Sequence, residues 1–146
     1  MPRIALLDVN VLVALFDPDH IHHEAAHKWF AANRRYGWAS CPLTENGLVR
    51  ILSNAAYTGG HENPLAIRER LHTFCSSGNH SFWPDHLSLR DERRFKLSGV
   101  THGQITDVYL LGLATEMDGR LATFDRRIPL PAVIGVEPKQ LEIIRA

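Results

Sequence analysis

Two kinds of hydrophobic spacing alternate along the chain, and together they predict strands alternating with helices. Short, mostly apolar segments of strand length lie at 4–7, 38–41, 81–83 and 120–124. Segments with apolar residues three and four positions apart predict helices at 9–16, at 22–35, and after Thr44, Asn63-Pro64 and Thr106. The alternation predicts an α/β fold in which helices cover a mainly parallel central sheet.

The remaining segments complete this picture. The charged stretch 87–97 predicts one more helix, and 133–135 and 141–144 predict two strands near the end of the chain. Gly59-Gly60 predicts a loop between helices. Because no repeat, low-complexity segment or linker interrupts the pattern, we expect a single domain spanning residues 1–146.

Composition narrows the class of protein. The 146 residues are 45% hydrophobic and 22% charged, which is ordinary for a globular domain, and the formal net charge is zero. Zero net charge excludes a strongly basic nucleic-acid coat protein but leaves a local basic groove open. The chain has 13 Arg and 3 Lys. Arginine is the better residue for bidentate contacts with phosphate, but codon usage explains this bias equally well.

Cysteine content and hydropathy bear on the compartment. Cys41 and Cys75 are too few for a disulfide framework, and they lack the paired spacing of a cysteine metal site. The apolar run 11–16 is too short to span a bilayer, and Asp8 interrupts any signal-peptide pattern. These features predict a reduced, cytoplasmic location without membrane contact.

Four acidic residues occupy equivalent places in the predicted fold. Asp8 and Asp125 each follow a predicted strand, whereas Glu45 and Asp107 lie in the first turns of two predicted helices. The carboxyl ends of parallel strands and the adjoining helix N-termini face one crevice, so all four can converge there. Singly, each acid has an ordinary explanation as a helix-dipole or turn residue. Together they offer the hard oxygen ligands that Mg²⁺ and Mn²⁺ prefer.

The order and spacing of these motifs resemble PIN-domain ribonucleases, in particular the VapC-type toxins of bacterial toxin–antitoxin pairs. The segments that carry the resemblance cover most of the chain and are 7–12, 41–50, 106–111 and 119–125. Two more stretches, 22–26 and 82–85, resemble a branch of such toxins common in mycobacteria. The resemblance implies a three-layer α/β/α fold around a parallel sheet.

The resemblance also implies Mg²⁺- or Mn²⁺-dependent hydrolysis of RNA by a metal-activated water. Asp8, Glu45 and Asp107 match the acidic metal-binding core, and Asp125 matches a fourth acid that binds the metal directly or through water. Asn10 matches a polar position beside the first Asp. Thr123 matches a hydroxyl position able to orient a carboxylate or a water. The implied partners are an RNA substrate, a cognate VapB-type antitoxin and a second copy of the chain.

Three other functions compete with the ribonuclease. His23-Glu24-Ala25-Ala26-His27 matches the H-E-x-x-H motif of zinc proteases, although no third ligand follows it. A phosphatase could use Asp8 as nucleophile, but the acid expected two residues later is Asn10. The third is a catalytically inactive PIN-like module that only binds RNA or its antitoxin, and the intact set of acids argues against it.

Overall fold

A computed structural model describes residues 2–58 and 62–146 of the chain. The loop predicted at Gly59-Gly60 lies outside these residues. In chain order the elements are β1 (Ala5–Leu7), α1 (Val9–Phe16), α2 (His23–Asn33), β2 (Trp38–Ser40), α3 (Pro42–Leu52), α4 (Ala55–Thr58), α5 (Pro64–Cys75), β3 (His80–Phe82), α6 (Ile105–Glu116), β4 (Arg120–Thr123) and β5 (Leu141–Ile143).

The five strands form one sheet in the order β3-β2-β1-β4-β5, and every neighbouring pair is parallel. β1 lies at the centre, where Ala5 pairs with Trp38 of β2 on one side and with Arg120 of β4 on the other. The chain adds β2 and β3 on one side of β1 and then returns to add β4 and β5 on the other side. The direction in which strands are added therefore reverses at β1. Such a reversal opens a crevice at the carboxyl ends of the central strands.

Alternate residues of β1 divide the core into two halves. Ala5 and Leu7 pack into a cluster with side chains of α1, α2, α3 and α5. Leu6 faces the opposite way and packs with α6, whose residues 108–114 are all buried. The predicted three-layer α/β/α architecture is therefore confirmed. No helix among residues 2–58 and 62–146 has both the length and the apolar content needed to cross a membrane.

Two helix starts differ from the predicted positions. Thr44 is not the N-cap of α3, because the helix begins at Pro42 and Cys41 occupies the cap. The Thr44 hydroxyl instead accepts a hydrogen bond from the Cys41 backbone N–H at 3.0 Å. Similarly, α6 begins at Ile105 rather than after Thr106. The Asn63 cap is confirmed, since its side chain accepts from the Ala66 N–H at 2.9 Å.

The predictions of a helix over 87–97 and of a strand over 133–135 are wrong. This part of the chain is irregular and is held by one antiparallel bridge between Phe95 and Val133. The Lys96 N–H donates to the Ala132 carbonyl, and the Phe95 ring lies against Gly112 of α6, where no β-carbon would fit. The conformation of this segment is therefore set by contacts with residues distant in the sequence rather than by the spacing of its own hydrophobic residues.

Candidate active site

Asp8 stands at the end of β1, at the centre of the sheet's carboxyl edge. It caps α1, and its Oδ1 accepts a hydrogen bond from the Val9 N–H at 2.7 Å. Its Oδ2 accepts a second bond from the Thr123 hydroxyl, also at 2.7 Å. The residue is only 4% exposed. Burial raises the pKa of the Asp8 carboxyl, because water no longer stabilises its charged form.

The buried hydroxyl of Thr123 links the central residues of this edge. While it donates to Asp8, it accepts from the Asn10 side-chain amide at 3.3 Å and from the Asp125 backbone N–H at 3.0 Å. The Asn10 side-chain oxygen accepts in turn from the Phe124 N–H at 3.3 Å. These bonds fix the backbone at the end of β4 relative to the start of α1, so the positions of Asp8 and Asp125 depend on one another.

Asp107 brings a third carboxyl to the same place from the first turn of α6. Its charge interacts with those of both Asp8 and Asp125, although one oxygen from each of the three carboxyls does not come within 4.8 Å of the others in this structure. Burial, followed by repulsion from Asp8, raises the pKa of Asp107 to about 8. The pKa of Asp125 is lowered instead, mainly because its Oδ1 accepts the Arg127 N–H at 2.8 Å. Asp8, Asp107 and Asp125 are called the aspartate cluster below.

Glu45 lies in the first turn of α3, and its carboxylate has a partner outside the aspartate cluster. α3 approaches α1 closely at Gly47, where a β-carbon would lie 2.7 Å from Cγ2 of Val9. Glu45 Oε2 accepts a hydrogen bond from the Ser40 hydroxyl at 2.6 Å. Among the described residues, no hydrogen bond joins Glu45 to the aspartate cluster.

Two further side chains meet Glu45, and the sequence did not predict them. The Ser40 hydroxyl oxygen also lies 2.7 Å from Nε2 of His80, and the same nitrogen lies 3.6 Å from Sγ of Cys75. Burial lowers the pKa of His80 and raises that of the Cys75 thiol to about 11. A search of the sequence for pairs of cysteines misses a single cysteine followed five positions later by a histidine. Glu45, Cys75 and His80 are called the Cys75 cluster below.

Positive charge is scarce around the buried acids. Of the four predicted ligands, only Asp125 has an ion pair in the part of the chain that the structure describes, with Arg127 at 3.5 Å. The Asp8 carboxyl has its two hydrogen bonds, and burial raises the pKa of both Asp8 and Asp107. Closely spaced carboxylates with unbalanced charge are stabilised by a divalent cation with oxygen ligands. The arrangement is thus suited chemically to Mg²⁺ or Mn²⁺.

The H-E-x-x-H motif has a structural role. Nδ1 of His23 lies 2.7 Å from the Ala14 carbonyl oxygen, and Nε2 of His27 lies 2.9 Å from that of Leu15. Both rings thereby satisfy carbonyls at the end of α1 that lack a helical partner. Glu24, the would-be base, is exposed. Within residues 2–58 and 62–146, these residues join no group of three potential metal ligands.

Comparison with known proteins finds one protein family and several ribonucleases. Residues 5–133 match the PIN domain. Ribonuclease VapC44 of Mycobacterium tuberculosis is 40% identical over 141 residues, which are 94% of this chain and 96% of that protein. Ribonuclease VapC39 of the same organism is 41% identical over 133 residues, covering 90% and 96% of the two chains. Ribonuclease VapC38, also from this organism, is 43% identical over 122 residues, covering 84% and 85%.

Proposed function

This chain belongs to the PIN-domain family, and from that premise we propose that it is a metal-dependent endoribonuclease and the toxin of a toxin–antitoxin pair. The names of its M. tuberculosis relatives support RNA as the substrate. The observation that carries the proposal is the convergence of Asp8, Asp107 and Asp125 on the carboxyl edge of the sheet. Thr123 links the Asp8 carboxyl to the Asp125 backbone N–H. Such a cluster is unfavourable for a protein that only binds RNA, because it repels phosphate.

The aspartate cluster would hold the metal, with Glu45 as a further ligand. Asp8 and Asp107 are the groups whose buried charge a divalent ion would balance. Glu45 would join them when its carboxylate turns away from Ser40. Bound Mg²⁺ or Mn²⁺ would supply a Lewis acid that lowers the pKa of water and orients the phosphate oxygens.

The chain's own residues would position these groups. Thr123 fixes the orientation of Asp8 through its hydroxyl and that of Asp125 through the backbone. Asn10 holds Thr123 in place from the side of α1. Arg126 and Arg127 follow Asp125 and are exposed, so they are available to contact the RNA backbone. Together these contacts keep the carboxylates in place before substrate binds, which lowers the cost of reorganisation.

The proposed partners follow from the same family relationship. We propose that the chain acts in the cytoplasm, that a cognate VapB-type antitoxin neutralises it, and that it forms a homodimer. Both cysteines are free, which accords with a reducing compartment.

The test is cleavage of single-stranded RNA by purified protein with Mg²⁺ or Mn²⁺. We expect products with 5′-phosphate and 3′-hydroxyl ends, loss of cleavage with a chelator, and no detectable cleavage by Asp8→Asn. Glu24→Gln serves as the matched control, since it neutralises an exposed acid outside the cluster. A folded wild-type protein that binds RNA without cutting it would favour the inactive module instead.

A further inference from the structure

The Cys75 cluster consists of side chains that bind metals but differ in chemistry from the aspartate cluster. One ligand atom from each of Glu45, Cys75 and His80 lies within 4.8 Å of the others, and this is the one such group of three found among the described residues. A thiolate, an imidazole and a carboxylate together select Zn²⁺ and similar ions over Mg²⁺, which prefers oxygen ligands alone.

The distances fit a tetrahedral ion. Zn–S and Zn–N bonds of about 2.3 and 2.1 Å place the two ligand atoms about 3.6 Å apart in tetrahedral geometry. Sγ of Cys75 and Nε2 of His80 lie 3.6 Å apart. The same Nε2 atom lies toward Ser40, whose hydroxyl also binds Glu45 Oε2 at 2.6 Å. The three ligand atoms therefore lie close enough for one ion to bind them, provided that the ion replaces the Ser40 hydroxyl as the partner of His80 and Glu45.

The backbone holds two of the ligands in place. Cys75 ends α5 and His80 begins β3, so only residues 76–79 separate them. The chain reverses there through two successive residues of positive φ, Gly78 at 106° and Asn79 at 66°. Because β3 is fixed in the sheet, a ligand pair on this turn does not have to be ordered when metal binds.

His80 is further restrained by the core. Its ring packs against the ring of Trp38, with centroids 4.5 Å apart, and Trp38 is fully buried in β2. All three members of the Cys75 cluster are half-buried, so an ion can reach them from solvent. Three protein ligands leave one tetrahedral position for water.

We propose that the Cys75 cluster binds Zn²⁺, and that the bound ion keeps Glu45 away from the aspartate cluster. The Cys75 thiol loses its proton to solvent as the S–Zn bond forms, and no atom is oxidised or reduced. Binding at this site is independent of the proposed ribonuclease activity. Only the consequence, inhibition of Mg²⁺-dependent cleavage by Zn²⁺, rests on that function.

Co²⁺ provides a direct probe because a thiolate–cobalt bond absorbs in the near ultraviolet. Titration of reduced, metal-free protein with Co²⁺ should develop this band, and Zn²⁺ should abolish it. Mg²⁺ is left out because it would compete for Glu45, and Co²⁺ bound by oxygen ligands alone gives no thiolate band. Cys75→Ser should remove the band, and His80→Gln should weaken Co²⁺ binding about 100-fold or more, since even changes around a metal ligand cost 10–100-fold.

Cys41→Ser is the matched control, because Cys41 and Cys75 are the chain's two cysteines and Cys41 lies in the other half of the core. It should keep the band. Absence of the band in wild-type protein, or its persistence in Cys75→Ser, would overturn the site. Zn²⁺ should also inhibit RNA cleavage by wild-type protein, and Cys75→Ser should resist. Equal inhibition of both proteins would overturn the coupling to Glu45.

Discussion

At the scale of single residues, Thr123 has more influence on the site than its small side chain suggests. One buried hydroxyl satisfies the Asp8 carboxyl, the Asn10 amide and the Asp125 N–H at once. An apolar side chain of the same shape would leave all three without this partner. Of these residues only Asp8 is buried, and one buried polar group that loses a partner costs about 1–3 kcal/mol.

We therefore predict that Thr123→Val lowers the free energy of unfolding by about 1–3 kcal/mol and slows RNA cleavage about 10–100-fold. Thr123→Ser, which keeps the hydroxyl, should retain most of the activity. Thr115→Val is the matched control, since the Thr115 hydroxyl bonds only the Leu111 carbonyl within its own helix. Denaturant unfolding and initial cleavage rates check both expectations. Full activity in Thr123→Val would contradict the role given to this hydroxyl.

The aspartate cluster also predicts a dependence of stability on pH. The pKa of Asp107 is about 8 in the folded protein, against an ordinary value of 3.8. Between these values the folded chain binds more protons than the unfolded chain, so the free energy of unfolding falls as pH rises. Without divalent metal, Asp107→Asn should reduce this decline and raise the melting temperature at pH 8, while the raised pKa of Asp8 leaves part of the decline in place.

Asp91→Asn is the contrasting control for this measurement. A hydrogen bond from the Arg93 N–H lowers the pKa of Asp91, so the linkage has the opposite sign. This variant should not gain stability at pH 8. Thermal melts of the three metal-free proteins from pH 5 to 8 check the prediction. A loss of stability in Asp107→Asn at pH 8 would contradict the repulsion inferred at the cluster.

At the scale of elements, the contact between α1 and α3 determines where Glu45 lies. Gly47 lets the two helices approach until its α-carbon lies against the Val9 side chain. A β-carbon at 2.7 Å from Val9 Cγ2 forces the helices apart or distorts a rotamer. Glu45, two residues before Gly47, would move with the first turn of α3.

Gly47→Ala is accordingly predicted to cost about 1–3 kcal/mol of stability and to reduce RNA cleavage. The double variant Gly47→Ala with Val9→Ala should recover part of both losses, because it removes the atoms that clash. Gly103→Ala, at a site with no atom within 4 Å, should be neutral. Unfolding free energies of the wild type, Gly47→Ala, Val9→Ala and the double variant form a double-mutant cycle, and Gly103→Ala is measured beside them as the control. Simple additivity of the two substitutions would argue against the contact.

Local pattern predicted some elements and not others, for physical reasons. The helix at 9–16 has the predicted bounds, since Asp8 caps its start and Asp17-Pro18 ends it. The segment 87–97 misled because charged residues within it, such as Asp91, stabilise turns by bonding nearby backbone N–H groups. Its order comes from contacts with residues 132–134, which no local spacing reveals.

In the candidate site, too, some features could be predicted from local sequence and others could not. Acids at strand ends could be placed on one edge from the sequence, because parallel strands share that edge. The hydrogen bond from Ser40 that holds Glu45 depends on how β2 leads into α3. The approach of Cys75 to His80 depends on the turn between α5 and β3. Such side-chain contacts follow from packing rather than from spacing.

At the scale of the whole molecule, the proposal is that RNA is cleaved inside the cell. Expression of the chain without an antitoxin should arrest bacterial growth, and Asp8→Asn should be harmless at equal protein levels. Glu24→Gln should remain toxic, because the H-E-x-x-H residues act at the end of α1 rather than in catalysis. Growth curves and mapping of RNA cut sites check this. Growth arrest by Asp8→Asn would separate toxicity from the aspartate cluster.

The proposed function requires that separate segments of the chain bring carboxylates together to bind one catalytic divalent ion. Counting bound Mn²⁺ by electron paramagnetic resonance, in wild-type and Asp8→Asn protein of equal thermal stability, tests it most directly. We predict that wild-type protein binds Mn²⁺ in competition with Mg²⁺ and that Asp8→Asn loses this binding while remaining folded. Equal Mn²⁺ binding by the two proteins would contradict the account.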